Sequence, residues 1–79
     1  MNVEEGVKEI VANHLGIPVN EITQNSYLQD DLNADPLTIA DLVVSLEDEF
    51  QIEIPPHESQ KFDKVEDIIN FIADKIGEV

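Results

Sequence analysis

Asp31, Asn33 and Asp35 alternate along the chain as the first three ligands of a calcium-binding loop do. Such a loop also needs glycine at its sixth position and glutamate at its twelfth, where this chain has Pro36 and Leu42. The match fails on both, leaving only loose association of divalent cations with scattered carboxylates and no dedicated metal site. Catalysis fares no better. His14 and His57 lie far apart, neither has a partner at motif spacing, and there is no cysteine or glycine-rich phosphate loop. The sequence therefore reads as that of a protein that is not an enzyme. A different constellation suits recognition. Asp35, Asp41, Glu47 and Asp48 share a segment with Leu37, Ala40 and Val44, and positions 37, 41, 44 and 48 follow the spacing of one helix face. An acidic stripe with small apolar residues embedded in it fits a basic, partly apolar groove on a partner. The bland alternative is a solvated helix face, with Leu37 and Val44 turned into the core.

The charge balance points the same way. Eighteen Asp and Glu face four Lys and no Arg, for a net charge of −14. A field of that sign repels phosphate backbones, which excludes nucleic-acid binding through a basic face, and it speeds encounter with basic surfaces. Acidity alone might suggest disorder, but 42% of the residues are hydrophobic and fall at regular spacing, as in a folded chain. The N-terminus lacks the basic-then-apolar pattern of a secretory signal, and no apolar run approaches the ~20 residues that span a bilayer. The expectation is a soluble, cytoplasmic, monomeric protein without stable membrane insertion, forming one domain over residues 1–79.

Three helices are needed to position the stripe and its surroundings. Val3, Val7, Ile10, Val11 and Leu15 predict a first helix over Val3–Leu15, stopped by Gly16 and Pro18, with His14 at its surface or boundary. Residues 17–34 form a long connection, which Ile22, Leu28 and Leu32 are expected to anchor to the core. The second helix starts with Asp35 as N-cap and Pro36 at the first helical position, where proline is favoured, and runs to about Phe50. Its apolar arc is Ile39, Leu42, Val43, Leu46 and Phe50, with Leu37, Ala40 and Val44 beside it, which is wider than one packing surface requires. Pro55 and Pro56 interrupt the chain, and a short helical turn is expected near His57–Lys61. The last helix is expected to begin with Asp63 as N-cap and Glu66 completing a capping box, to bury Val65, Ile68, Ile69, Ile72 and Ile76, and to end at Gly77. The fold class is all-α: a small four-helix bundle of three main helices and one short one, with a long loop after the first.

The stretch Asp31-Leu32-Asn33-Ala34-Asp35-Pro36-Leu37-Thr38, with Leu42–Phe50 after it, resembles an acyl carrier protein, and the likeness covers nearly the whole chain. That family carries an Asp-Ser-Leu signature at the start of its second helix, where the serine takes up phosphopantetheine and the thiol of that group bears the acyl chain. The resemblance implies carriage of acyl intermediates in fatty-acid or related lipid or polyketide synthesis. It also implies that the second helix is the recognition surface for synthases and for acyl or phosphopantetheinyl transferases. Here the signature reads Asp35-Pro36-Leu37, so the attachment position has no hydroxyl and no cofactor is expected on the chain as written. No neighbouring hydroxyl replaces it. Thr38 is rotated about 200° around the helix, Ser45 falls among packed residues, and Ser26 and Ser59 lack the context. Other departures are Asn33 for a usual glycine, which still tolerates a left-handed backbone, Thr38 for an acidic residue, and Pro56. A rival reading is a non-carrier interaction module that keeps the fold and the acidic helix. A third is a carrier fold that holds free lipid non-covalently.

Overall fold

The Asn2 side chain accepts the Glu5 N–H at 2.7 Å and so opens helix α1, Val3–Leu15, in this computed structural model, which describes residues 2–77. Gly16 closes α1 in the left-handed region (φ 67°), where its N–H reaches the Ala12 carbonyl and a missing Cβ avoids a steric cost. α2 spans Pro36–Phe50, α3 Pro56–Ser59 and α4 Val65–Ile76, so the expected bundle of three main helices and one short one is what forms. α1 packs against both α2 and α4. Val3, Val7 and Val11 from α1, Leu42 and Leu46 from α2, and Val65, Ile68 and Ile72 from α4 meet in a core from which water is excluded. Each such side chain contributes roughly 1.5–3 kcal/mol of burial. Phe62 and Phe71 add an edge-on aromatic pair, with centroids 5.7 Å apart.

The long connection is pinned as its apolar residues require. Ile22 and Leu28 are buried and Leu32 packs against the core, with an unanticipated 3-10 turn at Val19–Glu21. Asn33 adopts the left-handed conformation (φ 62°) while the Ala34 N–H returns to the Leu28 carbonyl at 2.8 Å.

Three expectations about the second half need correction. α4 starts after Lys64, not after Asp63, and the acidic partner is Asp67, not Glu66: one Asp67 carboxylate oxygen accepts the N–H groups of both Asp63 and Lys64 at 2.9 Å. The first free N–H groups of α4 are taken by backbone carbonyls of the connection, Val65 by Ser26 and Glu66 by Gln24, both at 3.0 Å. Leu28 N–H in turn donates to the Asp63 carbonyl, around an isolated antiparallel bridge between Tyr27 and Lys64. Those bonds hold residues 63–64 extended and delay the helix. Ile76 is exposed, because the last turn of α4 runs past the end of the core, and Ile69 is half-buried. The short helix begins at Pro56, one residue earlier than expected. Pro56, like Pro36, sits where an N–H would be unpaired, while the Pro55 carbonyl accepts from Glu58 and Ser59.

Candidate docking and attachment site

The N-terminus of α2 is built by Asp35, whose Oδ1 accepts the Thr38 N–H at 2.8 Å. That backbone bond, with a further one from the Thr38 side chain, favours the ionised carboxyl and holds the Asp35 pKa below its ordinary value of 3.8. Pro36 follows at the first helical position and is exposed. No N–H is lost there, because the first turn of a helix leaves its N–H groups unpaired anyway.

From this start α2 turns two different faces outward and inward. Leu42, Val43 and Leu46 are buried, whereas Leu37 is 72% exposed and Val44 63% exposed, and Ala40, Asp41 and Asp48 are exposed beside them. The possibility that Leu37 and Val44 belong to the core is thereby overturned. The extra width of the apolar arc belongs to the surface. Leu37 and Val44 thus stand in water on a helix without a single Lys or Arg.

Glu47 stands apart from the other acids. It is half-buried, and its Oε2 accepts the Ile54 N–H at 2.7 Å, tying the end of α2 to the segment that leads into α3. Nothing in the spacing of the sequence signals this bond, since Ile54 lies beyond a helix terminus that Gln51 closes in the left-handed region (φ 55°). Asp31, likewise, is engaged by the Tyr27 N–H at 2.8 Å. Among the described residues no three metal-ligating side chains converge.

The serine hydroxyls near the second helix are each engaged by a neighbour. Ser45 Oγ lies 2.7 Å from His14 Nε2, a link between α1 and α2 that sequence reasoning missed although it placed His14 at the surface, where it is. Ser26 is buried against Thr23, and Ser59 donates to the Pro56 carbonyl. Phosphopantetheine requires an oxygen to bond to, and Pro36 offers none. Pro36 therefore cannot hold that group. Around Pro36 lies a groove of about 660 Å³ between α2, α3 and the approach to α4, walled by Ile39, Val43, Ile54 and Phe62.

The four lysines sit away from α2, and each has a local partner. Lys8 pairs with Glu4 at 2.7 Å, and this bond lowers the Glu4 pKa. Lys61 reaches Glu58 at 3.4 Å, Lys64 lies 5.1 Å over the Tyr27 ring, and Lys75 lies 5.9 Å over Phe71. The charge of Asp41, Asp48 and Glu49 thus faces solvent without a cation on its own helix.

The helical bundle with its capped, acidic second helix is placed in a family by comparison with known proteins. Residues 5–72 match the family model described as "Phosphopantetheine attachment site". The chain is 41% identical over 78 residues to the acyl carrier protein of Solidesulfovibrio magneticus, covering 99% of this chain and all of that one. It is 47% identical over 70 residues to the acyl carrier protein of Clostridium acetobutylicum, covering 89% and 91%. Among solved structures, one assigned as an acyl carrier protein of Mycobacterium tuberculosis superposes with a TM-score of 0.87 at 33% identity, covering 92% of this chain and 97% of that one. The acyl carrier protein of Enterococcus faecalis gives 0.78 at 32%, covering 94% and 98%. The chain belongs to the acyl carrier protein family. Members of that family are carriers, so the chain is not an enzyme. Among the described residues no helix is long and apolar enough to cross a membrane.

Proposed function

We propose that the chain is a carrier scaffold of fatty-acid or related lipid or polyketide synthesis whose loading fails at one position. Pro36 stands where the family attaches phosphopantetheine, so the chain as written stays unmodified and carries no acyl thioester. What it retains is the docking half of the carrier's task. Leu37, Ala40 and Val44 form the apolar part of the contact and Asp41 and Asp48 its charged rim, presented to basic surfaces of synthases and of acyl or phosphopantetheinyl transferases. Asp35 and Glu47 add negative charge from positions fixed by their bonds to Thr38 and Ile54. The protein works as a cytoplasmic monomer.

The observation that carries this reading is the 72% exposure of Leu37 directly after the capped Asp35-Pro36 pair. The test is intact mass after incubation with a broad-specificity phosphopantetheinyl transferase and coenzyme A. The chain should keep its mass, and Pro36→Ser should gain one phosphopantetheine at position 36. Serine suits the start of a helix and Asp35 still caps it, so the variant should lose only about 0.4–1 kcal/mol through a freer unfolded chain. A gain of mass in the unaltered chain refutes the reading of Pro36. A folded Pro36→Ser variant that is never modified favours a non-carrier interaction module, since Asn33 or Thr38 would then also have disabled recognition.

A further inference from the structure

We propose that His14, seated on α2 by Ser45, is a pH-sensitive charge that weakens docking of the acidic helix when the imidazole takes up a proton. This inference rests on the docking role of α2 proposed above. The contact behind it joins two helices: His14 Nε2 on α1 lies 2.7 Å from Ser45 Oγ on α2. Such a contact survives a change of protonation. A neutral ring nitrogen accepts from the hydroxyl, whereas an imidazolium donates to the hydroxyl oxygen. The ring therefore stays on α2 while its charge changes.

The charge that it offsets belongs to the docking helix. The contact opens on a hollow of about 330 Å³, walled by Ile10, Asn13 and His14 from α1 and by Ser45, Asp48 and Glu49 from α2. Asp48 and Glu49 are the ionisable groups that α2 contributes to this hollow. α1 adds none besides His14, and no described residue of α3, α4 or the long connection lines it. Asp48 also stands on the exposed stripe of Leu37, Asp41 and Val44. α2 has no Lys or Arg, and the four lysines are engaged elsewhere. Among the described residues, His14 is thus the side chain that can set a switchable positive charge against this helix. Histidine ordinarily changes charge within about pH 5–8. One added cation about 10 Å from a cation of the partner weakens binding about twofold at low ionic strength. By linkage, docking must in turn favour loss of the proton from His14.

The probe is an immobilised broad-specificity phosphopantetheinyl transferase without coenzyme A, with binding kinetics read at about 10 mM ionic strength. Each variant is compared with the parent at the same pH, so that titration of the transferase itself cancels. Parent and His14→Gln should bind alike at about pH 8, and at about pH 6 the parent should bind at least about twofold more weakly. His14→Lys, whose charge is permanent, should bind more weakly than His14→Gln at both. Ser45→Ala frees the ring from α2 and should shrink the loss at about pH 6. His57→Gln, on α3 and outside the hollow, should follow the parent. Imidazole proton resonances report the charge directly. At a fixed pH of about 6.5, adding the transferase should move those of His14 toward the neutral form and leave those of His57 in place. No binding at about pH 8 overturns the docking reading and this inference together. Binding there, with parent and His14→Gln sharing one pH profile, overturns this inference alone. A full effect in Ser45→Ala, or equal movement of both histidines, does the same.

Discussion

Replacing Glu47 with alanine removes the acceptor of the Ile54 N–H, and the structure sets the size of the consequence. Ile54 is 4% exposed, so its amide has little recourse to water once the carboxylate is gone. The lost bond is short, at 2.7 Å, and its acceptor is an acid. Bonds to charged groups contribute about 1.5–3 kcal/mol, and a stranded buried donor costs about 1–3 kcal/mol. Alanine returns a few tenths of a kcal/mol through its higher helix propensity. The expected net loss is about 2 kcal/mol, against about 4–12 kcal/mol of stability for a chain of this length. At about 4–8 °C per kcal/mol, the thermal midpoint should fall by about 8–16 °C. Glu47→Gln keeps a carbonyl acceptor at the same reach and should lose less than half as much. Asp48→Ala, one residue along on the exposed face, should stay within about 0.5 kcal/mol of the parent. Urea denaturation followed by circular dichroism measures all three. If Glu47→Ala is no more destabilising than Asp48→Ala, the bond to Ile54 does not hold the end of α2, and the separation of Glu47 from the other acids is mistaken.

Asp35→Asn should remove a pH dependence. A depressed carboxyl pKa stabilises the fold above its ordinary value of 3.8 and loses that contribution as pH falls through the lower folded value, so parent and variant should converge in stability only in acid. Docking should divide by residue type. Asp41→Asn with Asp48→Asn should slow association with a carrier-dependent synthase and flatten its salt dependence, whereas Val44→Ala should speed dissociation, as read by binding kinetics at several salt concentrations. Unchanged kinetics in both, with helices intact, would make this face a solvated surface. A double-mutant cycle on His14→Ala and Ser45→Ala should show about 0.5–1.5 kcal/mol of coupling across α1 and α2, and none if the 2.7 Å contact is idle.

The features legible in the sequence are those set by neighbouring residues. Gly16, the Asp35-Pro36 pair and Gly77 mark helix ends because cap chemistry is local, and the periodicity of Val3, Val7 and Val11 marks a buried stripe for the same reason. The start of α4 was not legible. Its first N–H groups bond to the carbonyls of Gln24 and Ser26, and a backbone carbonyl looks the same in every residue. Ile76 carries the period of the core but extends beyond it, which only the length of the neighbouring helices decides. In the site, spacing traces the stripe of α2 but not its exposure, since Leu37 and Val44 carry the same period whether they face the core or water. The capture of Glu47 by Ile54 is not traced at all, because it depends on how the chain turns after Gln51, a left-handed residue with none of the usual signals for one.

The bonds from Gln24, Ser26 and Leu28 to residues 63–66 have a kinetic meaning. The connection cannot open without uncapping α4, and α4 cannot fray from its first turn without releasing the connection. The two should therefore exchange their amide protons as one unit, with Leu28, Val65 and Glu66 sharing a single opening free energy even though the chain between them is long. Because their contacts join distant parts of the sequence, this unit should also assemble after the local turns of α1 and α2 have formed. The segment that looks most like a flexible linker is thus among the last to fold and, once folded, opens only together with the first turn of the final helix.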